Sequence, residues 1–367
     1  MKIIFWQNII SPHQVDFLKA LSFHHEILLI VEEIQDIERK KDHWEIPQYN
    51  YLKIIIAPPL NSLDQYFENA EDIHIFSGIS AYKTVYSGFK KAEVHKAKIG
   101  IVSEPINFDG IKGFLKLIRG NFQRLKYGHK IKFIAATGDL GITTYTKFGY
   151  RKNKLFQWGY FVDHPLNNNV RKKNQIVFVG QLTDRKQILQ LTNLLIENNC
   201  FGYNEFLILG VGPDLSALQN IINSNKADFK ISILGRKSKL ETIEIIAESK
   251  LLFLPSLFDG WGVVVNEALL AGTPVITSDN VGAKILVENS DRGAVFKAGD
   301  YDQLKKLLEN WSTKNYVEKD YLKIQNWAVE KITPAVAADY FSKIISCTFD
   351  KNVEKEKPIA PWVQKQI

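Results

Sequence analysis

Short apolar runs recur along the first part of the chain: Ile3 to Phe5, Ile27 to Val31, Ile54 to Ala57, Ile73 to Phe76, Ile99 to Val102 and Ile131 to Ala135. Runs of this length, rich in β-branched residues, predict strands buried on both faces. Helical patterns such as SPHQVDFLKAL and NSLDQYFENA separate most of them. Alternating strand and helix predicts a parallel sheet with helices on both sides. Residues 151–174, polar and Asn-rich after a short apolar run, read as a linker. The alternation then restarts with Ile176 to Val179, Phe206 to Leu209, Ile231 to Leu234, Leu251 to Leu254 and Val275 to Ile276. Three of these runs end in glycine, Gly180, Gly210 and Gly235, which lets a ligand approach the carboxyl edge where open α/β sheets bind. From Tyr301 to about Cys347 the pattern is helical, with Pro334 starting or kinking a helix. The last stretch is too polar to fold alone, and Trp362 is expected to dock it on the first domain.

The predicted fold class is therefore α/β: two Rossmann-like domains facing each other across a cleft, with C-terminal helices and tail packing back on the N-terminal domain. The expected division is 1–168, 169–346 and a tail over 347–367. A length of 367 residues agrees, being too great for one ordinary core. No run reaches the roughly 18 apolar residues of a membrane span. The N-terminal MKIIFWQNIISPHQ reads as a first strand and not as a signal peptide. Cys200 and Cys347 are the only cysteines, in no metal-binding or redox spacing, so reduced thiols and a cytoplasmic location are expected.

A net charge of +7 points to phosphate-bearing or anionic-membrane partners. The excess is local, because Lys112 to Lys154 contains eleven lysines and arginines opposed by Asp139 alone. Its first part, GFLKLIRGNFQRLKYGHK, interleaves cations with Phe114, Leu115, Leu117, Ile118, Phe122, Leu125 and Tyr127. That is the composition of a basic amphipathic helix, and two readings stay open: a core-facing helix with a basic solvated side, or contact with an anionic membrane through residues 112–132. Nucleic acid is not expected, since no nucleic-acid-binding motif accompanies the charge.

Candidate chemistry concentrates in PSLFDGWGVVVNEALLAGTPVIT, residues 255–277, which reads as loop, helix and strand after Leu251 to Leu254. Gly260 and Gly262 flank Trp261, so the backbone can take positive φ and come close to a ligand. The following helix start attracts anions. Asp259 and Glu267 flank the same place, and carboxylates beside an anion site fit a ligand with both phosphate and sugar hydroxyls. Tight packing and capping would explain the same loop without a ligand.

Three motifs stand in order: GQLTDRKQ at 180–187, LGVGPDL at 209–215 and PSLFDGWGVVVNEALLAGTPVI at 255–276. VGAKILVENSDRGAVFKAGDYDQL at 281–304 and KLFQWGYFVD at 154–163 accompany them. Over roughly residues 130–310 the chain resembles the family 4 glycosyltransferases of GT-B fold; its first domain matches mainly by strand pattern. The resemblance implies that Lys186 pairs with a donor diphosphate, that Glu267 accepts bonds from the ribose hydroxyls, and that Asp259 stands where the family's first glutamate contacts the transferred sugar. It implies phosphate contacts from the backbone of Gly260, Trp261, Gly262 and Val263, with Arg236 edging the base. Gly180, Arg185, Gly210 and Gly212 complete the donor-binding set. Two positions depart from the pattern: Gln181 replaces the usual arginine, and Asp259 is one methylene shorter than glutamate.

No GxGxxG follows the first strand, so the first half is not expected to bind a nucleotide. His13 and Glu104, at expected strand edges, are candidates for acceptor or transferred sugar, whereas His74, inside a strand, is expected to be a core residue. Asp300-Tyr301-Asp302 forms a DxD before a helix, and capping accounts for it without a metal. The expected function is a retaining glycosyltransferase that uses a UDP- or GDP-sugar without metal or cofactor. It would act on a glycan acceptor, lipid-linked, at the inner membrane face in surface-polysaccharide assembly. The alternatives are a sugar-nucleotide epimerase and a non-catalytic sugar-nucleotide or glycan-binding protein.

Overall fold

The computed structural model describes residues 1–34, 52–163, 171–225, 228–350 and 356–363. Contacts divide the chain into two units, Met1–Val162 with Thr333–Ile367, and Asp163–Ile332. In the first unit the described strands are β1 (Lys2–Gln7), β2 (Glu26–Val31), β3 (Lys53–Ile56), β4 (Ile73–Phe76), β5 (Lys98–Ser103), β6 (Ile131–Thr137) and β7 (Leu155–Trp158). They form a parallel sheet in the order β3-β2-β1-β4-β5-β6-β7, so the winding reverses between β1 and β4. Helices α1 (Pro12–Ser22), α2 (Lys83–Val94), α3 (Gly110–Tyr127) and α4 (Gly138–Lys147) connect strands.

Ile3, Ile4, Phe5 and Trp6 are buried, as a strand covered on both faces requires. His74 lies in this core: it accepts a hydrogen bond from Trp6 Nε1 at 3.2 Å and stacks on Phe67 with centroids 4.3 Å apart. Burial pushes its pKa down to about 3, so the ring is neutral at physiological pH. The expected linker is corrected. The supposed linker 151–174 contains β7 and the start of the next sheet, because Leu155, Phe156 and Trp158 are buried against the first core. Its residues 164–170, and with them the expected boundary at 168, lie outside the described residues.

The second unit contains β8 (Lys173–Val179), β9 (Glu205–Leu209), β10 (Lys230–Gly235), β11 (Ser249–Leu254), β12 (Val275–Ser278) and β13 (Gly293–Phe296). Their order is β10-β9-β8-β11-β12-β13, again parallel, with the reversal between β8 and β11. This is the doubly wound arrangement in which ligands bind at the carboxyl ends of the strands flanking the reversal. Helices α5 (Ile188–Glu197), α6 (Leu215–Ser224), α7 (Lys239–Glu248), α8 (Val264–Leu270), α9 (Tyr301–Ser312) and α10 (Glu318–Lys331) belong to this unit.

Helix α11 (Pro334–Phe349) begins at Pro334 and returns to the first unit. The expected division places residues 333–346 with the second half. They group with the first because Phe341 packs its ring on Phe17, Phe133 and Trp158. Trp362 follows, buried between Phe161 and Tyr340, so the tail packs where its tryptophan predicted.

Candidate functional site

Two loops meet at the reversal of the second sheet. The one leaving β8 carries Gly180, Gln181 and a 3-10 turn over Asp184–Lys186; the one leaving β11 carries Pro255 to Val263. Main chain ties them together, since Leu257 N donates to Arg185 O at 2.9 Å. Arg185 Nη1 donates to Phe258 O at 2.6 Å and lies 3.8 Å from Asp259 Oδ2. Lys186 Nζ donates directly to the same Asp259 oxygen. The fold thus brings together Arg185, Lys186 and Asp259, more than seventy positions apart in sequence. Lys186 is only 9% exposed, and an ammonium so enclosed requires a counter-charge.

Asp259 is fixed by its backbone, its N–H donating to Asn280 O at 3.0 Å and its carbonyl accepting from Gly282 N at 3.1 Å. Beyond it, the main-chain N–H groups of Gly260, Trp261, Gly262 and Val263 donate to no oxygen among the described residues. The Trp261 indole is 1% exposed and donates to Asn266 Oδ1 at 2.8 Å, so it anchors the loop from within. Gly262 has φ of +88°, and a Cβ there would stand 2.7 Å from Leu254 Cδ2. No other residue fits this position unstrained.

Glu267 sits in the first turn of α8, its N–H bonded to Val263 O at 3.2 Å. Its carboxylate makes no hydrogen bond among the described residues. Burial raises its pKa, opposed by the charge of Lys239. A carboxylate without a donor is ready to accept one from a hydroxyl.

Gly210 and Gly212 have a further duty. A Cβ at Gly210, whose φ is +148°, would stand 1.9 Å from Gly180 O, and one at Gly212 would stand 2.2 Å from Leu182 O. Leu182 N donates to Val211 O at 2.9 Å and Asp214 N to Leu182 O at 3.0 Å, locking the loops after β8 and β9 together. Arg236 lies exposed just past β10, with β9 between its strand and β8.

Sequence reasoning passed over several polar groups on these loops. Thr183 Oγ1, Asp214 Oδ2 and Ser256 Oγ are buried with no partner among the described residues. Their residue types in loops carry no distinguishing signal. Gln187, in left-handed conformation at φ 58°, accepts a bond from Tyr301 OH at 2.7 Å. That pairing links positions too distant for any local pattern to reveal.

In the first unit, His13 and Glu104 are gathered round a residue the sequence did not single out. Tyr160 OH donates to Glu104 Oε1 at 2.5 Å, and its ring centroid lies 6.1 Å from that of His13. Asp300 Oδ1 accepts from Gln303 N at 2.9 Å, capping α9 as its position predicted. Among the described residues no group of three or more His, Cys, Asp or Glu is placed to hold a metal.

Residues 163–326 match the model of a family described as glycosyl transferases group 1. Over 143 residues the chain is 30% identical to the Escherichia coli UDP-Gal:alpha-D-GlcNAc-diphosphoundecaprenol alpha-1,3-galactosyltransferase, covering 37% of this chain and 36% of that one. It is 26% identical over 153 residues to the Erwinia amylovora amylovoran biosynthesis glycosyltransferase AmsK, covering 39% and 37%. The matched stretches thus span little more than a third of these relatives. Among solved structures, Anabaena HepE in complex with UDP superposes with a TM-score of 0.73 at 14% identity, covering 94% of this chain and all of the other. The fold is GT-B. The lipopolysaccharide outer core galactosyltransferase WaaB shares it, with a TM-score of 0.66 at 15% identity over 90% of this chain and 99% of the other.

Proposed function

We propose that the protein is a retaining glycosyltransferase that moves a sugar from a nucleoside diphosphate to a hydroxyl of a lipid-linked glycan, in the assembly of a surface polysaccharide. The observation that carries this reading is the enclosed Lys186, paired with Asp259 beside four unbonded main-chain N–H groups at the β8/β11 reversal. In transfer, the bond from the anomeric carbon to the diphosphate oxygen breaks while one to the acceptor oxygen forms on the same face. The acceptor proton passes to the departing phosphate. Negative charge grows on that phosphate, so a lysine and main-chain donors aimed there stabilise the transition state more than the ground state. Lys186 exchanges Asp259 for the diphosphate, and Arg185 supplies the second charge that Gln181 does not.

Asp259, once released, faces the sugar, and Glu267 accepts bonds from the ribose hydroxyls. Gly210 and Gly212 let the loops after β8 and β9 pack backbone to backbone beside Gly180 at the edge of the pocket, and Arg236 edges the base. In the first domain His13 and Glu104, joined by Tyr160, hold the acceptor. The donor is a UDP-sugar or GDP-sugar used without metal, and transfer takes place at the cytoplasmic face of a membrane. The UDP-bound structural relative and the diphosphoundecaprenol acceptor in the name of a sequence relative support this reading. A second reading, a sugar-nucleotide-binding protein without turnover, is favoured by the same ion pair, because Lys186 already has its counter-charge.

The deciding experiment incubates purified protein with UDP- and GDP-sugars and a membrane lipid extract, and follows release of nucleoside diphosphate. Release dependent on the lipid supports transfer. Donor binding without release supports the second reading, and absence of binding defeats both.

A further inference from the structure

Among the described residues, nothing covers the apolar face of helix α3. Ile111, Phe114, Leu115, Ile118, Phe122 and Leu125 are each 52–82% exposed. At 3.6 residues per turn they fall within an arc of about 100°. The opposite face docks the helix through small or inward-turned residues: a Cβ on Gly120 would overlap the Phe148 ring at 2.1 Å, Gly113 lies against Phe108 backbone, and Tyr127 is buried on Phe89. The core therefore takes the narrow glycine face, and the wide apolar stripe, with no glycine or tyrosine in it, is turned outward. A core-facing helix with a basic solvated side accounts for the docked face, on which Leu117 also packs, but not for the exposed apolar stripe.

We propose that α3 lies in the plane of an anionic membrane surface, its six apolar side chains inserted at the level of the headgroups. Charge selects this occupant. Helix α3 contains Lys112, Lys116, Arg119, Arg124 and Lys126 and no acidic residue. The spacing puts Lys112, Arg119 and Lys126 along one border of the stripe, where snorkelling ammonium and guanidinium groups meet lipid phosphates. Basic groups continue past the helix end, where Leu125 lines a cavity of about 440 Å³ with Arg124, His129, Arg151 and Lys154. Burial, with the neighbouring cations Lys132, Arg151 and Arg124, lowers the pKa of Lys154, whose Nζ donates to Gly128 O at 2.8 Å and to Ile131 O at 2.6 Å. No helix among the described residues is long and apolar enough to cross a membrane, so contact is in-plane.

The placement serves the proposed reaction and rests on that reading only for its purpose. Helix α3 starts six residues after Glu104, at the carboxyl edge of the first sheet where His13, Glu104 and Tyr160 meet. A membrane plane along α3 would present a lipid-linked acceptor near these groups.

The test uses the full chain with phosphatidylcholine vesicles, with and without phosphatidylglycerol, in a flotation assay. Wild type is expected to bind the anionic vesicles at least about tenfold more tightly. The variant Phe114→Ser/Ile118→Ser/Phe122→Ser should lose that binding by about tenfold or more, with an unchanged circular dichroism spectrum. Lys112→Glu/Lys126→Glu should lose it on anionic vesicles alone. Equal binding to both vesicle types, or wild-type binding by the serine variant, would overturn the proposal. So would a wild-type dimer that the serine variant converts to a monomer in light scattering, since a second copy would then cover the stripe. Thermal shift by nucleotide sugars, which reports on the other unit, separates the two ideas: vesicle binding without any nucleotide-sugar shift would sink the transfer reading and leave this one standing.

Discussion

At the scale of single residues, the site combines an enclosed cation with a carboxylate that holds its proton more tightly than usual. Lys186→Ala is expected to lower kcat/KM by about 1.5–3 kcal/mol, roughly tenfold to more than a hundredfold, as for loss of a charge-assisted hydrogen bond. Steady-state kinetics would show it, and turnover at the wild-type rate would remove the lysine from the mechanism. Glu267 makes an opposite pair of predictions. Burial raises its folded-state pKa, so the native protein binds this proton more tightly than the unfolded chain does. Its contribution is complete below the ordinary carboxylate pKa and fades as pH rises through the higher folded value. Glu267→Gln should therefore raise the melting temperature at pH 7 while weakening donor binding. A variant that melts lower at pH 7, or that binds donor as well as wild type, contradicts the assignment. Lys186, Asp259 and Glu267 were legible because a spaced motif marks them. Thr183, Ser256 and Tyr160 were not, because an ordinary threonine, serine or tyrosine in a loop becomes notable only when the fold buries it unpartnered or sets it between two candidates.

At the scale of elements, what could be read was an apolar run, whether buried on both sides like β1 or partly exposed like β3 and β10. Eleven strands appear in the sequence as continuous apolar runs, and each is a strand in the structure. The two overlooked ones show the limits of that signal. β7 offers four residues, LFQW, at the edge of its sheet between basic and turn-like neighbours, and β13 is GAVF, where glycine and alanine dilute the apolar pattern. β3 and β10 are edge strands too, but their isoleucine-rich KIII and KISILG keep an apolar run that LFQW and GAVF lack. The glycines ending strands were expected to leave room for a ligand, yet Gly210 is needed first by the protein itself. Its missing Cβ is occupied by Gly180 O, a backbone atom that cannot move without disturbing β8. Gly210→Ala should destabilise the second unit by about 2–3 kcal/mol, through both the clash and the disfavoured φ. Chemical denaturation measures this directly, and a neutral substitution would mean that the two loops are not locked as described.

At the scale of the whole molecule, the chain leaves the first unit, builds the second and comes back, so the C-terminal residues complete a core begun at the N-terminus. Trp362 ends this return: it is 1% exposed, with the Phe161 ring 4.8 Å and the Tyr340 ring 5.4 Å away between centroids. Its Nε1 has no acceptor among the described residues, so its worth lies in packing and not in a hydrogen bond. Trp362→Ala should cost about 3–5 kcal/mol, as for other large buried aromatics, whereas Trp362→Phe, which keeps an aromatic ring and removes the unpaired N–H, should cost less than about 2 kcal/mol. Every partner named for Trp362 belongs to the first unit, while the proposed donor site belongs entirely to the second. Calorimetry with and without a nucleotide sugar can therefore assign each effect to its unit. The alanine variant should move the melting of the first unit and leave the ligand-induced rise of the second unchanged. If the ligand's effect instead shrank in the variant, the tail would be supporting the donor site as well, and the division of labour between the units would have to be redrawn.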